Sequence, residues 1–176
     1  PGPGTEDDWE WGTPTSGPGY AHSGSNVWAT NLDGDFSNYG DMVLDTIPID
    51  LATFTTPQLT FWHWYDFSGG SWDGGNMKIS TDNGATWTLI YPTSGYTGVA
   101  GSSNKGIAGE ECYTDDETTD WEQATFDLSM YSGQTVLLRW HVGTTTVTTH
   151  PGWYIDDICI CSNQNRADDI TYTAET

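Results

Sequence analysis

One loop of the sequence concentrates side chains that ligate hard metal ions. The stretch NLDGDFSNYGD contains five oxygen-bearing side chains, those of Asn31, Asp33, Asp35, Asn38 and Asp41. Ca²⁺ takes about six to eight oxygen ligands at about 2.3–2.6 Å, so a loop of this composition can wrap one ion. The spacing is not that of an EF-hand, because the glycine and the terminal glutamate stand in the wrong places. The alternative is a solvated turn in which Asn and Asp side chains cap neighbouring amides.

Four further aspartates extend this hypothesis. Asp156 and Asp157 are consecutive in a predicted strand, GWYIDDI, so one of them must face inward. A buried carboxylate needs a partner, and a chain with so few Lys and Arg favours a cation, with backbone amides as the alternative. Asp66 and Asp73 flank a glycine-rich loop, where they either complete a metal site or cap turns. Calcium is therefore the predicted cofactor.

The sequence lacks the common catalytic and zinc-binding patterns. It contains no HExxH, GxSxG or P-loop motif and no Cys-His signature. Paired carboxylates are present, but on their own they do not define a glycosidase. His63 and His141 lie in predicted strands, where a hydrogen-bonded core histidine is more common than a zinc ligand, and His150 adds no ligand pattern. We therefore predict a protein that is not an enzyme and holds no zinc.

The ten tryptophans allow two interpretations. Trp72 in its glycine-rich loop, together with Trp9 and Tyr96, could form an exposed platform on which sugar rings stack, as in a carbohydrate-binding module. The alternative is that most of the tryptophans fill the core, because a β-sandwich buries large aromatic side chains between its sheets.

The sequence contains three cysteines, so at least one of them has no partner for a disulfide within the chain. Cys159 and Cys161 are two residues apart on one predicted strand, so they share a face and are poorly placed to pair with each other. Cys112 lies in a predicted loop and could reach one of them. One disulfide and one buried thiol are therefore expected.

Composition narrows the classes of partner. Four Lys and Arg against 25 Asp and Glu give the 176-residue chain a formal net charge of −21. This charge repels nucleic acid and anionic lipid and favours cations. No run of about 18 apolar residues is present, so no membrane span is predicted. The many Thr, Ser, Gly and Asn residues, with the ten Trp, favour an extracellular β protein.

Short β-prone runs joined by Gly- and Pro-rich turns must position these side chains. Leu59–Tyr91 is predicted as a meander of three antiparallel strands, with SGGSWDGG after the first and the hairpin signal DNG after the second. The first strand is apolar on both faces, which is typical of a central strand covered on both sides. Gly95–Glu117 has no periodicity and is a predicted surface insertion. The pattern predicts an all-β fold, a two-sheet antiparallel β-sandwich.

The chain resembles the MAM-like jelly-roll modules appended to secreted bacterial proteases, namely immune-inhibitor-A-type metalloproteases and subtilases. Four segments carry the resemblance, in order over residues 9–161: WEWGTPTSGPGYAHSGSNVWATNLDGDFSNYGD, FWHWYDFSGGSWDGGNMKISTDNGATWTLI, WEQATFDLSMYSGQTVLLRWHV and PGWYIDDICI. The cleaved-adhesin modules of gingipains are more distantly similar. The resemblance implies jelly-roll topology, structural calcium and no catalytic site. It also favours metal at Asp156-Asp157, because the matching carboxylates commonly ligate calcium.

Both ends of the chain depart from that family. The usual opening strand with a Phe-Glu pair, which supplies a metal ligand, is not in this sequence, whereas Ile170–Ala174 adds an alternating run beyond the last strand. We divide the chain into a module, residues 1–162, and a polar arm with an extra strand, residues 163–176. If the arm folds back, the module is a self-contained monomer. If it reaches a neighbouring copy, head-to-tail strand addition would build a filament.

These observations predict an extracellular, non-catalytic, calcium-stabilised jelly-roll module that binds or adheres to other surfaces. Two alternatives remain open at this point. One is a carbohydrate-binding module, and the other is a structural subunit of a surface assembly or filament.

Overall fold

The computed structural model describes residues 9–67, 69–114 and 118–162, and the backbone of residues 170–171. Its strands are, in chain order, β1 (Glu10–Gly12), β2 (Val27–Ala29), β3 (Asp41–Asp45), β4 (Ile49–Asp50), β5 (Pro57–Asp66), β6 (Gly74–Ser80), β7 (Thr88–Ile90), β8 (Gly98–Val99), β9 (Glu111–Cys112), β10 (Glu122–Asp127), β11 (Thr135–Gly143), β12 (Gly152–Ser162) and β13 (Ile170–Thr171). A short 3₁₀ turn, Ser129–Tyr131, follows β10. Over these described ranges, no helix is long and apolar enough to cross a bilayer.

Two antiparallel sheets form the sandwich. The first sheet has the strand order β1-β2-β12-β5-β10, with β13 also paired with β12. The second sheet has the order β3-β11-β6-β7, with β4 also paired with β11. The chain changes sheet repeatedly, for example from β4 to β5, from β5 to β6 and from β11 to β12. The all-β, two-sheet antiparallel β-sandwich of jelly-roll type predicted from the sequence is confirmed.

The predicted meander over Leu59–Tyr91 is wrong at its first turn. β5 lies in the first sheet, whereas β6 and β7 pair with each other in the second. Both edges of β5 are already hydrogen-bonded, one to β12 and the other to β10, so β6 has no free edge of β5 to pair with. The glycine-rich loop therefore carries the chain across the sandwich instead of closing a hairpin.

Alternation along β5 builds both the core and an outer cover. Phe61 points between the sheets, where it contacts Trp153 of β12 and Trp140 of β11, and none of the three is more than 1% exposed. On the opposite face, the β1–β2 loop covers the strand, and the ring of His22 stacks on Trp62 with centroids 3.9 Å apart. The strand is thus covered on both sides, as its sequence indicates.

His63 is a buried, hydrogen-bonded histidine of the core. Its Nδ1 accepts a hydrogen bond from Nε1 of Trp153 at 3.2 Å. Burial lowers the pKa of His63 to about 3, so the imidazole is neutral near pH 7. The neutral ring retains the lone pair that this hydrogen bond needs.

The insertion without periodicity folds over the outer face of the second sheet. Its β8–β9 ribbon pairs Gly98 with Cys112, and the Glu110 carboxylate lies 2.7 Å from Nζ of Lys78 on β6. Nδ2 of Asn76, also on β6, donates to Glu110 at 2.8 Å. The insertion is therefore fastened to the sheet through polar side chains.

The predicted disulfide is wrong. All three cysteines lie within the described residues, and no disulfide is present among them. Cys112 is buried with Ala100 and Ile107 in the insertion, on the outer side of the second sheet. Cys159 and Cys161 lie half-buried on β12 of the first sheet, so the sandwich separates them from Cys112.

Candidate functional site

Three loops meet at one end of the sandwich, which we call the loop end: residues 30–40, residues 67 and 69–73, and residues 144–151. The Phe36 amide donates to the carbonyl of His150 at 3.0 Å, and the Tyr39 amide donates to that of Thr145 at 2.7 Å. The Thr145 amide donates in turn to Oδ1 of Asp73 at 2.6 Å. The loop end therefore brings together parts of the chain that carry several of the predicted ligands.

The Asx-rich loop folds around its own backbone. Oδ1 of Asn31 accepts a hydrogen bond from the Asp33 amide at 3.1 Å, and its Nδ2 donates to the carbonyl of Asp35 at 2.9 Å. Asp33, Asp35 and Asn38 are exposed, and Asp41 bonds to Nε2 of His141 at 2.6 Å. Over the described ranges, no group of three His, Cys, Asp or Glu side chains converges as a metal site would require. The capped turn, which was the alternative interpretation, describes this loop as it stands.

Asp66 and Asp73 have different environments at the loop end. Oδ1 of Asp66 lies 3.0 Å from Nδ1 of His150. Asp73 is fully buried, and next to it Oγ1 of Thr145 is buried without a hydrogen-bond partner among the described residues. An orphaned hydroxyl beside a buried carboxylate is unusual, since nearly all buried polar atoms are bonded. Nothing in the sequence pattern singled out Thr145.

Asp156 and Asp157 form a β-bulge in β12. The register with β5 shifts between Asp156 and Cys159, and Asp157 has a φ of 47°, a left-handed conformation that is costly for a residue with a Cβ. Asp156 is 8% exposed and lies on the outer face of the sheet, where its carboxylate accepts hydrogen bonds from the amides of Ser23 at 2.9 Å and Asp157 at 2.8 Å. Burial raises the pKa of Asp156 above its usual range.

Asp157 fastens the β1–β2 loop to the bulge. One carboxylate oxygen lies 2.6 Å from Nδ1 of His22, and the other accepts a hydrogen bond from Oγ of Ser23 at 2.6 Å. These partners are more than a hundred residues away in the sequence, in the loop between β1 and β2. They were missed because no local signal points to them.

A groove of about 240 Å³ opens beside this bulge, and we call it the bulge groove. It is lined by Trp11, Trp28 and residues 23–26 and 155–158. β2 pairs with β12 as far as Ile155, and β13 resumes the pairing at Cys159. The groove thus lies where the edge of β12 is interrupted between two partner strands.

The predicted sugar platform is not formed by its three aromatic residues. Trp9 is 8% exposed and packs against Trp153 in the core. Tyr96 is also packed against the core, with its hydroxyl bonded to the Met77 amide and the Ile90 carbonyl. Trp72 alone of the three is exposed, at 41%.

Asn104 is a buried residue that the sequence did not mark. Its Nδ2 donates to the carbonyls of Trp72 at 3.0 Å and Gly143 at 2.6 Å, and its Oδ1 accepts from the amides of Gly106 at 3.1 Å and Ile107 at 3.0 Å. One side chain therefore joins the insertion, the β5–β6 loop and the end of β11.

The fold and these two sites define a jelly-roll β-sandwich module with a loop end and an edge groove. The family model of Reelin subrepeat B matches residues 73–161, which is half of the chain. The chain therefore belongs to the Reelin subrepeat B family.

A curated protein and a solved structure, both bacterial, are also similar to this chain. Bacillopeptidase F of Bacillus subtilis (strain 168) is 30% identical over 157 residues, a match that covers 89% of this chain and 9% of that protein. The chain thus spans less than a tenth of the length of this relative. The K1 cleaved adhesin domain of Lys-gingipain from Porphyromonas gingivalis W83 has the same fold, with a TM-score of 0.51, 19% identity and coverage of 89% of this chain and 84% of that domain. The resemblance to modules carried by bacterial proteases, predicted from the sequence, is confirmed.

Proposed function

We propose that this chain is a non-catalytic, extracellular binding module of the adhesion type, stabilised by Ca²⁺. The observation that carries the binding role is the bulge groove, a preformed cleft with aromatic walls and a few polar groups. The match to a small part of a peptidase supports an appended, extracellular role. The shared fold with a domain described as a cleaved adhesin supports adhesion to protein or other surfaces.

The lack of a nucleophile or zinc motif in the sequence supports a non-catalytic role. Asp41, Asp66 and Asp157 each hold a histidine within 3.0 Å, and these pairs fasten segments of the chain to each other. We expect no turnover on a panel of glycosides, esters and peptides. Turnover that is lost on a single Asp→Asn change, such as Asp157→Asn, would contradict this part of the proposal.

The calcium proposal has its best structural support at Asp73 and Thr145. A buried carboxylate and an unsatisfied hydroxyl oxygen are both hard oxygen donors of the kind that Ca²⁺ accepts. The remaining ligands would be backbone carbonyls of the loop end and water. Bound there, the ion would join the β5–β6 and β11–β12 loops by charge instead of by packing.

Melting in EDTA and then in Ca²⁺ tests this proposal. Because the ion would bind only the folded state, stabilisation is expected to reach roughly 3–4 kcal/mol at 100–1,000 times Kd. Asp73→Asn is expected to remove the calcium-dependent rise in Tm, whereas Asp33→Asn, in the exposed Asx turn, should leave it intact. The reverse result would place the ion in the Asx-rich loop, and no change in the Tm of the unmodified protein would exclude stabilisation by calcium.

The alternative of a filament subunit uses the far end of β12. In this structure, Ile170–Thr171 of the same chain pairs with Ile160 and Cys159. That pairing supports the self-contained module over strand exchange between copies. A monomer at high protein concentration in sedimentation is the expected result, and polymer that disappears when residues 168–176 are deleted would favour the filament.

A further inference from the structure

The bulge groove has the shape and chemistry of a small-ligand site. It lies at an interruption in the edge of β12, between the strands β2 and β13 that pair with β12 on either side of the gap. Trp11 and Trp28 are register partners on β1 and β2, and their ring centroids are 5.5 Å apart at an interplanar angle of 46°. Both indoles are only partly buried. They therefore present apolar ring surface to whatever enters.

Hydrogen-bonding groups also belong to the lining of the groove. Each carboxylate oxygen of Asp156 accepts one backbone amide, which leaves further acceptor capacity on both. Oδ1 of Asn26 accepts a hydrogen bond from Oγ1 of Thr13 at 3.0 Å, and this orients Nδ2 as a donor. Ser25 adds a hydroxyl to the lining. Acceptors, a donor and flat apolar rings together match a ligand that carries many hydroxyls on an apolar ring.

The site is held in place before a ligand arrives. His22 and Ser23 fix Asp157, and the Ser23 amide fixes Asp156. Asp157 keeps a left-handed backbone conformation, at φ 47°, that surrounding bonds must impose. Such strained residues cluster at ligand sites, because a rigid site loses less entropy on binding.

Charge restricts the ligand further. The described lining holds two carboxylates and no Lys or Arg, in a chain with a formal net charge of −21. A sugar that carries carboxylate or sulfate groups would be repelled, whereas an ammonium group would be attracted and would also favour the indole faces.

We propose that the bulge groove binds the pyranose ring of a neutral or amino sugar, with Trp11 as the stacking surface and the polar residues of the lining as hydrogen-bond partners. This inference rests on the proposed binding function and names its ligand class. It replaces the platform expected at Trp72 with a site at the edge of the first sheet.

Titration calorimetry with three oligosaccharides tests the inference: a β-1,4-linked glucosamine trimer, cellotriose and trigalacturonate. The glucosamine and glucose trimers are expected to bind and to be recovered intact, and trigalacturonate is expected not to bind. Trp11→Ala should weaken binding about tenfold or more, equivalent to about 1.4 kcal/mol. Asp156→Asn should weaken the binding of the glucosamine trimer more than that of cellotriose. The substitution removes the charge that attracts an ammonium group but keeps a hydrogen-bond acceptor for hydroxyls. Trp72→Ala is the matched control and should bind normally.

Tm and circular dichroism verify that each variant is folded. If Trp11→Ala does not fold, sugar binding is measured with Asn26→Ala in its place. Failure of both neutral and amino sugars to bind would overturn the inference, as would unchanged affinity in Trp11→Ala. A lysine peptide that binds where no sugar does would also overturn it. The calcium-dependent rise in Tm is a separate measurement, so its presence without sugar binding would leave the proposed function intact.

Discussion

Replacing Trp153 with alanine is expected to lower the free energy of unfolding by about 3–5 kcal/mol. Trp153 is fully buried, and its ring packs against those of Trp9, Phe61 and Tyr113. The truncation leaves a cavity that the surrounding β-strands cannot close. It also removes the donor that satisfies His63 in the core. Urea unfolding monitored by circular dichroism measures the change.

Trp72→Ala provides the matched control for this prediction. The same side chain is removed from an exposed loop, where its loss is expected to change the free energy of unfolding by no more than about 0.5 kcal/mol. If the two variants lost equal stability, the aromatic core described between the sheets would be wrong.

Asn104→Ala is expected to cost about 2–4 kcal/mol, because each buried polar group that loses its partner costs about 1–3 kcal/mol. Two amides and two carbonyls bond to this one side chain, at distances of 2.6–3.1 Å. The loss should also loosen the insertion, so limited proteolysis within residues 98–112 is expected to become faster. Both effects follow from one amide that bridges three segments.

Asn38→Ala, measured in EDTA, is the control for this variant. Asn38 is exposed at the loop end, so its truncation is expected to change the free energy of unfolding by no more than about 0.5 kcal/mol. The rate of proteolysis within the insertion is expected to stay the same. Equal protection of the insertion in both variants would show that Asn104 does not hold it.

Periodicity predicted the strands well but not their partners. The two-sided apolar pattern of β5 correctly indicated cover on both faces, because that pattern depends on burial alone. The same pattern could not indicate whether SGGSWDGG closes a hairpin or crosses between sheets, since glycine permits both. Pairing was decided by β10 and β12, strands that lie far along the chain.

The sequence predicted only some of the residues of the candidate site. Asp156 and Asp157 stood out because one of two consecutive carboxylates in a regular strand must face inward. The β-bulge breaks that alternation, and both carboxylates instead bond to the β1–β2 loop on the outer side of the sheet. The partners themselves, His22 and Ser23, come from a loop whose composition carried no such signal. Trp11 was not among the candidate residues, because its place at the groove depends on the break in β12 that the sequence did not reveal.

Few positive charges interrupt the anionic surface of the module. The Lys and Arg side chains of the described residues are those of Lys78 and Arg139, on the second sheet, and Lys105, in the insertion that covers it. Lys78 and Arg139 are themselves paired with Glu110 and Asp45. The bulge groove, whose lining holds two carboxylates and no Lys or Arg, would therefore attract a cationic surface at low ionic strength, as electrostatic steering does. The Debye length falls from about 10 Å at 0.1 M salt to about 3 Å at 1 M, so dissolved salt controls the distance over which that attraction acts.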